Sequence, residues 1–336
     1  MGPRLWLFPD ADPVGPWARG GVMLAHLPAN RLPLLVFRAE PDAPIRSELD
    51  GLGVEYYSLG KKGLNPVATW WKLRSFLRKL QSPRVHVWDL EDLTVGVLAA
   101  NDGCQVSCEV SEGRVPPRIF RWWKQGLNRV SHWYCQGRSP WVDPGKVKEV
   151  RGWVRVSSRE TQAPRMAPSD LSVLLVADSP RAVREGRWAF DIFKHAWPGA
   201  GLKILASPST QKTARKFSGT LGLGAGIQFL QRWSEAEAHS PVLAVVVLGS
   251  GPWTGDSALR ALSWGVPVLA EESGPVRRAI AQGAPLHPVP GGDRAGLAAA
   301  LQKLAVAEKE GGPRPFTFPS HLCATFDLPF YSDDLD

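Results

Sequence analysis

The stretch SALRALSWGVPVLAEESGPVRRAI, Ser257–Ile280, decides how the chain is read. SALRALSWG has the spacing of an amphipathic helix closed by a glycine corner at Gly265. VPVLAE is a short apolar strand, and Gly274 opens a turn into a second helix start. Just upstream, PVLAVVVLGS reads as a buried strand that runs into a loop carrying Gly249, Gly251 and Gly255. Strand, glycine loop, helix start and strand are thus brought together. Such a loop lets the backbone approach an anion closely. The helix opening near Asp256 and Ser257 offers free N–H groups and a positive dipole end. The arrangement suits a diphosphate, although the Asp256 carboxylate opposes one, and Ser257 also fits a simple capping role.

Outward from this stretch the same alternation repeats. In the second half, LSVLLVAD, LKILAS, IQFLQ and PLHPV read as further strands. They are separated by the helical segments REGRWAFDIFKHAWP, TARKFSGTLGL and WSEAEAHS, and DRAGLAAALQKLAVAEK forms the last helix. In the first half, RLWLF, LPLLVFRAE, VEYYSLG, RVHVWDL, CQVSCEV and HWYCQ read as strands. The helices between them include VATWWKLRSFLRKLQ, with Trp70, Leu73, Leu77 and Leu80 on one face, and PRIFRWWKQGLNRV. Strands separated by helices at this rhythm predict a parallel sheet covered on both faces. The expected fold class is α/β, with two tandem doubly wound Rossmann-like domains facing across a cleft. The boundaries are residues 1–155 for the first domain and 171–310 for the second. Residues 156–170 form a polar, proline-punctuated linker, and the aromatic segment 311–336 packs back on the body.

Composition bounds the function. The 336 residues are 44% hydrophobic and 21% charged, which suits ordinary buried cores. No apolar run reaches the roughly 18 residues that span a bilayer. The start MGPRLWLFPDADP lacks a signal-peptide core, so a soluble cytoplasmic protein is expected. Four scattered cysteines fit neither a disulfide framework nor a CxxC metal site, so no metal and no cofactor are expected. The net charge of +8 suits a polyanionic partner or a merely solvated basic surface. No nucleic-acid module motif is present. The two tryptophan-bearing basic helices read as core-facing on one side and solvated on the other, or as a face lying on a membrane surface. LGLGAG, with Gly222, Gly224 and Gly226, follows a helix and not a strand, so it reads as a helix end and not a dinucleotide loop.

Five segments together carry a family resemblance: LDGLGVEYYSLG, LRSFLRKLQSPRVHVWDLEDLTVGVLAA, PVLAVVVLGSGPWTGDSALRALSWG, VPVLAEESGPVRRAI and PLHPVPGGDRAGLAAALQKL. In order and spacing they resemble the GT-B glycosyltransferases, specifically the family 4-like group 1 set. The resemblance covers most of the chain. It implies transfer of a sugar from a nucleotide-sugar donor to an acceptor hydroxyl of a carbohydrate or lipid-linked molecule. Retention of configuration and independence of metal are also implied. On the pattern of that family, Arg181 and Arg184 would face the donor diphosphate with Gly249, Gly251, Gly255, Asp256 and Ser257. Arg260 and Gly274 would lie in the nucleoside region. His86 and Asp89, at a strand end, are candidates for an acid–base pair or for a hydrogen-bonded structural pair. The sequence departs from the family pattern at its paired glutamates, whose places are held by Pro252 and Arg260. Two further readings therefore stay open: a GT-B-like protein that binds without catalysis, and a nucleotide-sugar epimerase.

Overall fold

The computed structural model describes residues 4–24, 27, 29–60, 66–80, 83–89, 92–93, 96–97, 104–111, 130–136, 145, 147–149, 171–220, 226–238, 242–251, 253–262, 264–281 and 283–310. The expected linker, the C-terminal segment and nearly all of PRIFRWWKQGLNRV lie outside these residues, as does most of the short helix expected at LTVGVLAAN. The chain divides into two compact units. One comprises Met1–Ala11 and Arg19–Arg151, the other Asp12–Ala18 and Gly152–Asp336.

In the first unit the described strands are β1 (Arg4–Phe8), β2 (Leu34–Phe37), β3 (Tyr56–Ser58), β4 (Arg84–Val87), β5 (Gln105–Ser111), β6 (Val130–Gln136) and β7 (Val147–Glu149). They pair in parallel in the order β3-β2-β1-β4-β5-β6-β7. β7 was not expected, because KVKE lacks the apolar run that marks a strand. The helices are α1 (Trp17–Leu24), α2 (Ala43–Gly51) and α3 (Pro66–Leu77), and α3 falls within the helical segment VATWWKLRSFLRKLQ apart from its opening proline. On one sheet face Leu5, Leu7, Val85, Val87 and Val106 pack with Leu73 and Leu77 of α3. The other face is aromatic: Trp88 stacks on Phe8 at 5.2 Å and lies edge-on to Trp6 at 5.1 Å. Phe8 in turn stacks on Phe37 at 5.5 Å.

The second unit holds β8 (Ser172–Ala177), β9 (Gly201–Ala206), β10 (Ile227–Leu230), β11 (Ala244–Leu248), β12 (Val268–Glu271) and β13 (His287–Val289). All pair in parallel, in the order β10-β9-β8-β11-β12-β13. The helices are α4 (Pro180–Ala196), α5 (Pro208–Thr220), α6 (Trp233–Ala238), α7 (Thr254–Leu262), α8 (Gly274–Ala281) and α9 (Arg294–Lys309). β8 shows why the strand segments are continuously apolar. Val173, Leu175 and Ala177 face a core shared with α4 and α9, while Leu174 and Val176 face the opposite core with Trp233 and Leu259. Both faces are buried, as a doubly wound parallel sheet requires. Caps fix the helix starts. Ser179 accepts from the Ala182 amide with Pro180 at the first turn, and Asp293 accepts from the Gly296 amide at 2.8 Å. Two tandem Rossmann-like α/β units are therefore present, the fold class read from the sequence.

Two buried cysteines make the first unit sensitive to alkali. Burial, with the Glu109 carboxylate adding to it, pushes the Cys135 thiol from 9.0 to about 11. The folded state thus keeps a proton that the unfolded state gives up above pH 9.0. This contribution is present below that pH and is lost as pH rises toward 11. Chemical denaturation between pH 8 and pH 10.5 is expected to show a fall in stability that is smaller by about 1–2 kcal/mol in Cys135→Ala than in the wild type, the remainder of the fall coming from Cys108.

Candidate functional site

The strand order of the second unit reverses between β8 and β11. From β8 the chain winds outward through β9 and β10, then returns to β11 and winds the other way through β12 and β13. The loops leaving the carboxyl ends of these two strands therefore diverge, and open α/β sheets hold their ligands at such a point. Asp178 follows β8 here, Gly249–Gly251 follow β11, and Glu271 ends β12.

These residues are tied together by charge-assisted hydrogen bonds. The Gly251 amide donates to Asp178 Oδ2 at 2.7 Å, and the Gly249 amide donates to Glu271 Oε2 at 2.8 Å. Glycine is required for steric reasons. Gly249 has φ 130, in the left-handed region, and a Cβ there would overlap the Asp178 carboxylate. A Cβ on Gly251 would lie 2.7 Å from Asp178 Oδ2, and one on Gly291 would lie 2.7 Å from Glu271 Oε1. Gly255, the third glycine of the expected anion loop, lets the starts of α7 and α8 meet. Its Cβ would stand 3.0 Å from Pro275 Cβ and 3.1 Å from the Pro275 carbonyl oxygen.

The start of α7 is finished by its own hydroxyl. Thr254 Oγ1 donates to the Gly251 carbonyl at 2.8 Å and lies 3.4 Å from Ser273 Oγ. Ser273 Oγ also accepts from the Val276 amide at 3.4 Å, capping α8 just before Gly274. Asp256 and Ser257 are buried in the first turn of α7, and the Ser257 amide already donates to the Trp253 carbonyl at 3.0 Å. Trp253 is itself buried, and its indole N–H has no hydrogen-bond partner among the described residues.

Among the described residues, Arg181 is a cation that reaches this site. It donates to Glu185 Oε1 at 2.9 Å and approaches Glu271 Oε1 at 3.7 Å. The hydrogen bond and charge of Glu185, then Glu271 and Asp178, hold its guanidinium pKa above the ordinary value. Its side chain is 61% exposed, so water screens these pairings. Arg184, one turn further along α4, is exposed. The Arg260 guanidinium lies 5.0 Å from the Trp233 ring centre and reaches the Ala18 carbonyl at 3.5 Å. Pro252 lies outside the described residues.

The corresponding reversal in the first unit lies between β1 and β4. His86 is inside β4, buried, with Nδ1 2.9 Å from Ser107 Oγ on the neighbouring strand and its ring edge-on to Trp88 at 5.0 Å. Asp89 follows the end of β4. After burial itself, the Asp89 charge is the next cause that raises the Cys108 thiol well above its ordinary value. Among the described residues no group of three or more His, Cys, Asp or Glu is placed to hold a metal ion, and no helix is long and apolar enough to cross a membrane.

Asp178 and Glu271 escaped the sequence analysis, and both left a signal there. Each is an acid closing an apolar strand, LSVLLVAD and VPVLAE, beside a strand that runs into glycines. The glycine spacing was legible; what fills the space beside it was not.

No family model matches the chain, and no curated protein matches it. Solved structures share its fold. Anabaena HepE, crystallised with UDP and glucose, aligns over 99% of this chain and 100% of its own with a TM-score of 0.64 at 12% identity. A glycosyltransferase from Rickettsia africae aligns over 99% of this chain and 98% of its own, with a TM-score of 0.58 at 13% identity. A Listeria monocytogenes protein provisionally identified as a UDP-N-acetylglucosamine 2-epimerase aligns over 94% and 92%, with a TM-score of 0.56 at 11% identity. At such identities the likeness is one of fold, and the fold is that of the GT-B proteins.

The loop geometry makes a sharp demand on Gly249. Gly249→Ala is expected to destabilise the second unit by about 3 kcal/mol or more, from backbone strain and overlap combined. Adding Asp178→Ala is expected to return the overlap part of that loss and leave the strain. Urea denaturation of the single and double variants reads both.

Proposed function

We propose that the chain is a glycosyltransferase that moves a sugar from a nucleotide-sugar donor to an acceptor hydroxyl. The observation that supports this best is the convergence of the β11–α7 glycine loop, the end of β12 and Arg181 at the reversal point of the second sheet. Two solved structures of the same fold hold related ligands: Anabaena HepE was crystallised with UDP and glucose and with UDP-glucose.

In the proposed reaction the acceptor oxygen forms a bond to the anomeric carbon, and the bond from that carbon to the diphosphate oxygen breaks. The diphosphate leaves with the electron pair. Arg181, with Arg184 beside it on α4, and the N-terminal dipole of α7 would stabilise that charge without a metal, and attack from the face that the diphosphate leaves would retain configuration. Arg260 and Gly274 belong to the proposed nucleoside side of the donor site. His86 is held by Ser107, so Asp89 is the stronger proposed base for the acceptor proton. One observation favours a second reading, binding without catalysis: Asp178, Glu185 and Glu271 together outnumber the single guanidinium of Arg181. An epimerase is the third reading, since the Listeria protein has this fold.

The acceptor side has its own proposal. α3 and the residues just after it carry Lys72, Arg74, Arg78 and Lys79 and no acid. The same helix leaves Trp71 and Val67 each 60% exposed. A cationic face with an exposed tryptophan suits an anionic lipid surface. We propose peripheral contact with the cytoplasmic face of a membrane, where a lipid-linked acceptor would lie. Sedimentation with phosphatidylglycerol-containing vesicles is expected to bring the protein down, and Trp71→Ser is expected to lower the bound fraction several-fold. Binding to phosphatidylcholine alone, or no loss in the variant, refutes this contact.

The donor reading is tested by thermal shift against UDP, GDP, ADP and dTDP and their common sugars. One nucleotide is expected to raise the midpoint by a few degrees at millimolar concentration, with a smaller rise in Arg181→Ala. No shift with any of them would favour binding without a nucleotide donor.

A further inference from the structure

The loop that should cradle a diphosphate is already occupied by the chain's own anions. Two amides suited to phosphate oxygens, those of Gly249 and Gly251, donate instead to Glu271 and Asp178 at 2.8 and 2.7 Å. The space a side chain would fill at Gly249, Gly251 and Gly291 is taken by these same carboxylates. The space at Gly255 is taken by Pro275. Arg181 is likewise shared, with Glu185 and Glu271 on either side of it. Every glycine that marks this loop as phosphate-binding is accounted for by an internal contact.

We infer that Asp178 and Glu271 set the anion affinity of the donor site, because their carboxylates stand in for phosphate oxygens on the Gly251 and Gly249 amides and weaken binding of any ligand that brings a diphosphate to that loop. This rests on the donor-site reading above. A phosphate oxygen entering the loop meets like charge at both amides, and like charges at contact distance disfavour association strongly where water is excluded. The donor is then held by its nucleoside and sugar more than by its diphosphate. That is the reverse of a loop whose amides are open.

Inorganic pyrophosphate is the probe, since it needs no knowledge of the base or sugar. Asp178→Asn and Glu271→Gln remove the charge and keep an oxygen that can accept from the same amide, so the loop retains its brace. By calorimetry each variant is expected to bind pyrophosphate about ten-fold more tightly than the wild type, and the double variant more tightly still. The Gly249 and Gly251 amide resonances are expected to move on titration in the variants and to stay nearly still in the wild type. Equal or weaker binding in both variants overturns the inference, and so does the absence of pyrophosphate binding in every chain. If one variant fails to fold, the other carries the test, with thermal melts to show which is intact. The same chains titrated with UDP-glucose, GDP-mannose, ADP-glucose and dTDP-glucose separate the two readings. If no nucleotide sugar binds any chain while pyrophosphate gains as expected, the donor assignment falls and the charge assignment stands. If a nucleotide sugar binds the wild type and pyrophosphate gains nothing in the variants, only the charge assignment falls.

Discussion

The hydrogen bond from the Gly251 amide to the Asp178 carboxylate organises the carboxyl edge of the second sheet. Loops leaving neighbouring parallel strands at a reversal of winding diverge, so backbone N–H groups there have no strand partner. They need an acceptor, and an anion is the strongest available. Asp178, just after β8, and Glu271, at the end of β12, flank β11 on both sides and supply one each to the loop between them. Thr254 then fastens the start of α7 to the Gly251 carbonyl and to Ser273 at the start of α8. Three strand ends and two helix starts are thereby held by a few polar contacts.

The elements of both units were largely legible because a buried parallel strand announces itself by composition. LSVLLVAD and PVLAVVVLG leave no polar face, and the two cores that divide the side chains of β8 explain why. The caps Asp293 in PGGD and Ser179 before Pro180 are residue types that favour helix starts. KVKE escaped because β7 is a short strand made chiefly of charged residues. The partners of the glycines also escaped. A glycine records that something lies close to the backbone, and it does not record what. Gly249, Gly251 and Gly255 look alike in sequence, yet two of them face Asp178 and one faces a proline. The long-range partners, 73 residues away for Gly251 and 22 for Gly249, are invisible to local pattern.

Arg260 makes the same point from the opposite direction. Its place in the amphipathic helix was clear, and its charge in a position where the family carries a carboxylate suggested a contact with the donor. Its guanidinium instead lies over Trp233 and reaches the Ala18 carbonyl. A cation over an indole is a stable arrangement in its own right, and it asks nothing of a ligand. The same arginine thus carries a packing contact that its place in the sequence does not disclose.

The second unit recruits a short segment from far upstream. Asp12–Ala18 belong to it, Val14 joins its core, and the Trp233 indole N–H donates to the Pro13 carbonyl at 2.7 Å. During synthesis this segment leaves the ribosome well before the strands it will join. The second core therefore cannot be completed from its own contiguous stretch of chain, and a fragment beginning at residue 152 would emerge with an apolar notch where Val14 belongs. Any gene fusion or domain exchange that cuts the chain at that point severs one of three crossings between the units and leaves Asp12–Ala18 with the wrong partner.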